Sequence, residues 1–169
     1  GANVLTPGHE EVRPHGIVFD ARGLRSTEDL AELHTFFSPR MRSLARSGRI
    51  VVLGLDPRGI EDPLEASVHT ALEGFTRSVA KEVGRLGATA NILYDESMDV
   101  DRLEGPLRFL LTEHSAYISG QPLLASGAIE LPNEVVPVKP LTNKVALVTG
   151  ATRGIGKATA RTLAREGAR

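Results

Sequence analysis

The sequence predicts an α/β fold: a parallel sheet covered by helices on both faces, in three layers. Three observations predict it. Short apolar runs bounded by turn residues recur at 16–20, 49–54, 89–94, 122–125 and 144–149. Buried parallel strands read this way, as near-continuous apolar runs rather than strict alternation. Between the runs lie longer segments whose apolar residues return at helical spacing. Strand and helix alternate throughout, the pattern of strands joined by crossover helices.

Taken in order, residues 1–14 are polar and weakly patterned and are expected as a loop. The run 16–20 is the first strand. Ser26, with Asp29 three residues on, can cap the next helix. In that helix Leu30, Leu33, Phe37, Met41 and Leu44 recur at helical spacing, and Pro39 predicts a kink or a rebuilt turn. The second strand, 49–54, is followed by a Pro/Gly/Asp loop at 56–63. Leu64, Val68, Leu72, Phe75, Val79, Val83 and Leu86 form an apolar stripe on a long helix. After the strand 89–94, Leu103, Leu107, Leu110 and Leu111 mark a helix that ends near Ser115, and 122–125 is a short fourth strand. Residues 128–143 hold Pro132, Pro137 and Pro140 without a helical period and read as a linker. The run 144–149 is the fifth strand, leading into a helix from about Gly154 to Arg165.

Bulk properties narrow the function. With 169 residues, 41% hydrophobic and 24% charged, the chain has an ordinary globular balance and length for a real core. The net charge of −1 offers no basic field for nucleic acid or an anionic membrane. The absence of cysteine removes disulfides, thiolate metal sites and a cysteine nucleophile, and fits a cytoplasmic protein. No apolar run approaches the ~18 residues of a membrane span. Gly1 in place of Met, and the close of a helix at Ala164–Arg169, read as cuts, so the chain is expected to be a fragment.

The chemistry sits in Thr149-Gly150-Ala151-Thr152-Arg153-Gly154-Ile155-Gly156. These residues follow an apolar strand and open a helix, the context that a dinucleotide-binding turn requires. Gly150 suits a tight turn, Gly154 a close approach of backbone to phosphate, and Gly156 close packing of helix on strand. A helix N-terminus presents unpaired N–H groups and partial positive charge to a pyrophosphate. Arg153 adds a formal charge near the adenosine end. The expected cofactor-binding residues are therefore Gly150, Thr152, Arg153, Gly154, Ile155 and Gly156, and the fold reads as Rossmann-like. A structural glycine-rich turn is the competing reading.

The segment Lys144–Gly156 resembles the opening strand and TGxxxGIG turn of short-chain dehydrogenases/reductases, in particular the 3-oxoacyl-[acyl-carrier-protein] reductases. Upstream, residues 71–82 (ALEGFTRSVAKE) resemble the long helix after that family's active-site tyrosine. Residues 109–111 and 115–121 resemble its final helix and strand. The resemblance implies that 1–127 is the second half of one reductase-like domain, 128–143 a linker, and 144–169 the first strand, turn and helix of another. That order is similar to the two-domain, high-molecular-weight 3-oxoacyl reductases of mycobacteria and related actinobacteria. It implies NADP or NAD as cofactor, an acyl thioester substrate carried on acyl-carrier protein or coenzyme A, and a homo-oligomer built through the long helix.

The family's chemistry needs a tyrosine with a lysine four residues on. The lysine lowers the tyrosine pKa, and an upstream serine orients the carbonyl. Tyr94 and Tyr117 are the only tyrosines, and Met98 and Gln121 stand four residues after them. Alignment on 71–75 puts Glu65 at the tyrosine, His69 at the lysine and Leu55 near the serine. Residues 1–127 are thus expected to be non-catalytic, with Glu65 and His69 a solvated or packed pair. Phe19-Asp20-Ala21-Arg22 replaces the family's Asn-Asn-Ala-Gly, and Asp95-Glu96 its Pro-Gly, where acids would repel phosphate. His9, His15, His34, His69 and His114 lack metal-ligand spacing. Asp95, Glu96, Asp99 and Asp101 read as a solvated loop with a helix start.

Two function classes remain: part of a nicotinamide-dependent 3-oxoacyl reductase, itself inactive, or a non-catalytic module for oligomerisation or acyl-partner docking. One structural expectation accompanies them. The edge beside 16–20 lacks a neighbour, and an open edge invites pairing. A linker of about 16 residues reaches roughly 50 Å, enough to cross strands spaced ~4.8 Å apart. Strand 144–149 is therefore expected to dock parallel to 16–20.

Overall fold

A computed structural model describes residues 13–97, 99–128 and 139–169. Most of 1–14, most of the linker 128–143, and His9 lie outside the described residues. The chain divides into two compact units, Gly1–Ile129 and Glu130–Arg169.

The first unit is the expected Rossmann-like α/β sheet. Four strands, β1 (Gly16–Asp20), β2 (Arg49–Leu55), β3 (Thr89–Asp95) and β4 (Pro122–Ala125), lie side by side in sequence order, all parallel. The helices α1 (Ala31–Met41), α2 (Pro63–Val83) and α3 (Val100–Leu111) connect them. Side chains alternate across a strand, so the register sorts the sheet into two faces. On one face Ile17, Phe19, Ile50, Val52, Ala90 and Ile92 meet Leu33 and Phe37 of α1 and Val68, Leu72, Val79 and Val83 of α2. On the other, Val51, Leu53, Leu93 and Ala125 meet Leu103 and Leu110 of α3. These are the three layers, with β2 and β3 buried from end to end except for the half-buried Leu55. Phe37 is the aromatic hub of the first face, 5.7 Å from Phe19, 5.1 Å from Phe36 and 5.2 Å from Phe75 between ring centroids.

Local signals act as the sequence suggests. The Ser26 amide donates to Asp29 Oδ2 (2.8 Å) and the Asp29 amide to Ser26 Oγ (3.4 Å), a reciprocal cap that starts a 3-10 turn at Glu28–Leu30 and then α1. Pro39 falls in the last turn of α1, where it lacks the N–H that would bond the Thr35 carbonyl, and the helix ends two residues later at Met41. Asp62 caps α2 through the Leu64 amide (3.0 Å), with Pro63 at the first helical position. Leu64 departs from the expected stripe: it lies in that first turn and is 51% exposed.

The second unit holds the helix α4 (Gly154–Arg165) and the backbone that leads into it. The expected fifth strand is not formed. Residues 144–149 belong to no strand, and the sheet of the first unit has four strands with β1 at its edge. An apolar run becomes a strand only where a neighbour completes its hydrogen-bond ladder. Within this unit the run meets Arg169, whose amide donates to the Lys144 carbonyl (2.9 Å) while its own carbonyl accepts from the Ala146 amide (2.8 Å). That is one step of a parallel ladder, centred on Val145. Beyond it Val145 and Leu147 stay 84% and 93% exposed.

Because Leu72 is fully buried under the sheet, Leu72→Ala is expected to cost about 2–5 kcal/mol, seen as a lower urea midpoint at unchanged slope. Leu64→Ala on the same helix is expected to stay within about 0.5 kcal/mol.

Candidate functional site

The glycine turn is preformed. Gly150 and Gly154 both have left-handed backbone, with φ of 67° and 61°, which L side chains rarely adopt. At Gly156 a Cβ would run into the Gly150 carbonyl oxygen, and it would lie 2.8 Å from the carbonyl carbon and 3.2 Å from the Thr149 oxygen. The helix therefore starts in direct contact with the turn, and only glycine allows that approach. Arg153 is the N-cap residue, in extended backbone, and no side chain caps the helix. Thr152, Arg153 and Ile155 face outward, Ile155 at 86% exposure.

The matching end of the first unit carries a different chemistry. In open parallel sheets, ligands bind beyond the carboxyl ends of the strands. Here each of three strand ends supplies a carboxylate. Asp20 ends β1, Asp56 follows β2, and Asp95 ends β3. Arg22 binds Asp20 through Nε (2.9 Å) and Nη2 (2.8 Å), then crosses β2 to reach Asp95 Oδ2 with Nη1 (2.9 Å). Arg58 binds Asp56 in the same i, i+2 manner, through Nε (2.9 Å) and Nη2 (2.7 Å). These bonds, with the arginine charge, hold the Asp20 and Asp56 carboxyls below the usual carboxylate range. Glu96 accepts from Ser126 Oγ and the Gly127 amide, both at 2.7 Å, which lowers it likewise. The expected solvated acidic loop is corrected at Asp95, whose side chain is fully buried and ion-paired. A cleft of about 320 Å³ opens beside the first two turns of α3, with Arg22 and Leu53 on its far wall. Arg22 is already bonded to two carboxylates there, so this wall offers no spare cation to a phosphate.

Of the three positions that the family resemblance aligns with its catalytic residues, Leu55 and His69 are joined, as a lock, and Glu65 stands apart from them. The Leu55 amide donates to His69 Nδ1 (3.1 Å), and the Tyr94 hydroxyl donates to the His69 carbonyl (3.1 Å). Glu65 does not pair with His69; it pairs with Arg25. His69 is fully buried. Burial pushes its imidazole below the ordinary 6.5, the Arg25 charge adds to this, and the Leu24 carbonyl opposes it. Nε2 is buried and makes no hydrogen bond. Burial, with Glu73 and Asp56, pushes the Tyr94 phenol up to about 12, against the opposing charge of Arg77. A phenol so held does not donate its proton near neutrality. Tyr117 is fully exposed.

Among the described residues no three His, Asp or Glu side chains cluster to hold a metal, and no helix is long and apolar enough to cross a membrane.

Residues 144–169 match the short chain dehydrogenase family. No curated protein matches the chain. Solved structures share its fold. A short-chain dehydrogenase/reductase from Serratia marcescens is 19% identical, with a TM-score of 0.55 over 66% of this chain and 64% of its own. A short-chain dehydrogenase from Burkholderia cenocepacia, solved with NADP, is 21% identical, with the same TM-score and coverages. A promiscuous reductase that catalyses keto-reduction at C1 during lugdunomycin biosynthesis is 19% identical, with a TM-score of 0.57 over 68% of this chain and 59% of its own. The chain thus spans less than two thirds of these structures.

Arg22 and Arg25 are the residues that sequence reasoning passes over. A signal is present: Asp20-Ala21-Arg22 and Asp56-Pro57-Arg58 repeat one Asp-x-Arg pattern just past two strands. Arg22→Met removes a bridge to a buried carboxylate. A sealed pair loses about 3–5 kcal/mol on such a change; Arg22 keeps 20% side-chain exposure, so about 2–4 kcal/mol is expected in urea unfolding. The pH dependence has a definite sign. Carboxyls depressed in the folded state stabilise it above their ordinary 3.8, and that stability is lost as pH falls through their folded values. The acid-unfolding midpoint of Arg22→Met is therefore expected at higher pH than that of the wild type, by circular dichroism.

Proposed function

We propose that this chain is part of an NAD(P)H-dependent short-chain reductase, with residues 144–169 opening its dinucleotide-binding domain. The observation that carries the reading is the glycine turn, which matches the family and whose backbone leaves no space for a side chain at Gly156. Gly150, Thr152, Arg153, Gly154, Ile155 and Gly156 would hold NADP or NAD, with the uncapped first turn of α4 and Arg153 facing the phosphates. The nicotinamide, when bound, supplies the hydride. The substrate class under this reading is a 3-oxoacyl thioester on acyl-carrier protein or coenzyme A, and the parent is a cytoplasmic homo-oligomer assembled through the long helix α2.

In the same reading residues 1–127 are a second reductase-like half that has given up catalysis. Glu65 and His69 stand where a tyrosine and a lysine are needed, and the strand ends carry Asp20, Asp56 and Asp95 where phosphates would lie. That rim also favours a second function for this half, a scaffold for oligomerisation or acyl-partner docking.

Titration of the full chain with NADPH and NADH, followed by nicotinamide fluorescence, tests the proposal. Saturable binding is expected, weakened on the order of tenfold (~1.4 kcal/mol) in Gly156→Ala, whose methyl must push the turn open. Binding unchanged in Gly156→Ala would assign the cofactor elsewhere, and no binding to the wild type would leave the scaffold reading. By itself the chain is expected to oxidise no NADPH when given a 3-oxoacyl thioester, measured by absorbance at the nicotinamide band.

A further inference from the structure

His69 is a buried titratable group that the proposed function leaves unused. Its imidazole is fully enclosed, and Nδ1 acts as an acceptor for the Leu55 amide at 3.1 Å. The ring proton of the neutral form therefore sits on Nε2. Leu55 is the last residue of β2, and Asp56–Asp62 is the loop that delivers the chain to α2. A single side-chain bond thus ties the end of the central strand to the helix that covers it.

The surroundings oppose a positive charge on this ring. From the segment after β1, Arg25 bears on it and disfavours protonation, while the Leu24 backbone acts the other way and more weakly. On α2, Glu65 is engaged with Arg25 and Glu73 with Arg77. In the loop after β2, Asp56 is engaged with Arg58. From β3, Tyr94 donates to the His69 carbonyl and does not touch the ring nitrogens. From α1 the contact with α2 is apolar, Phe37 on Phe75. A proton added to Nδ1 would turn the acceptor into a donor facing another donor, the Leu55 N–H.

We propose that His69 is an acid-sensitive latch: while its ring is neutral it fastens the β2 terminus to α2, and protonation releases Leu55 and the loop 56–62. The event is local. The ladders of β2 with β1 and β3 do not involve the ring.

Amide hydrogen exchange of the full chain by NMR from pH 8 to pH 5, corrected for intrinsic rates, tests this. Protection at Leu55 is expected to fall about tenfold per pH unit below 6.5, the ordinary histidine value, because the open form takes up a proton that the closed form resists. It levels off at the midpoint of the His69 Cε1–H shift, while Val51 and Val52 keep their protection. His69→Asn keeps an acceptor near the Nδ1 position without a titrating group, so its Leu55 protection is expected to be independent of pH. Constant protection at Leu55 in the wild type overturns the latch, and so does an equal acid loss in the variant. Should the variant not fold, the wild type decides alone: a Leu55 profile that levels off away from the His69 midpoint also overturns it.

Discussion

Everything in the first unit is referred to β2. Like β3 it has a parallel ladder on each side, and it is buried on both faces; it alone pairs with β1 in the first unit's sheet. Such a strand has no freedom of register. A slip by one residue would carry Ile50 and Val52 from the face of α1 and α2 to the face of α3, exchanging two packed interfaces at once. The apolar sequence Ile50-Val51-Val52-Leu53 supplies side chains for both faces, so the positions of β1 and β3, and of all three helices, are set by it.

The carboxyl ends of the first three strands carry acids paired with arginines. Dinucleotide sites place backbone amides and cations at this rim. Here carboxylates of Asp20, Asp56 and Asp95 stand there, and the arginines are consumed in binding them. Arg22 joins two of these carboxylates, Asp20 and Asp95, by spanning from β1 to β3 across β2. The same rearrangement reaches the side of α2, where Glu65 is held by Arg25 and His69 by the Leu55 amide. The result is a polar network that fastens strand ends to helices.

Much of this is legible in the sequence, and the departures have physical causes. Strands and helices of the first unit follow from apolar runs and helical stripes, and the Ser26–Asp29 cap is a local signal with a local result. The left-handed turns at Gly150 and Gly154 and the tight position of Gly156 match what glycine at that spacing requires. Asp95 reads as solvated because its partner, Arg22, lies 73 positions away, and no local rule pairs residues at that distance. Leu64 reads as core because the helical period does not say where the first turn emerges from the sheet's shadow. The run 144–149 has strand composition, but a strand is a relation between two segments, and composition describes only one.

Tyr94 brings a last consequence, in optics. The chain has no tryptophan and two tyrosines. Tyr117 stands fully in solvent, while Tyr94 is sealed against α2 with its hydroxyl on the His69 carbonyl. Near-ultraviolet emission from this protein is therefore the sum of one free phenol and one phenol in a fixed, water-poor setting. The first is a constant internal standard. The second reports, without any label, whether the sheet and its covering helix are still together.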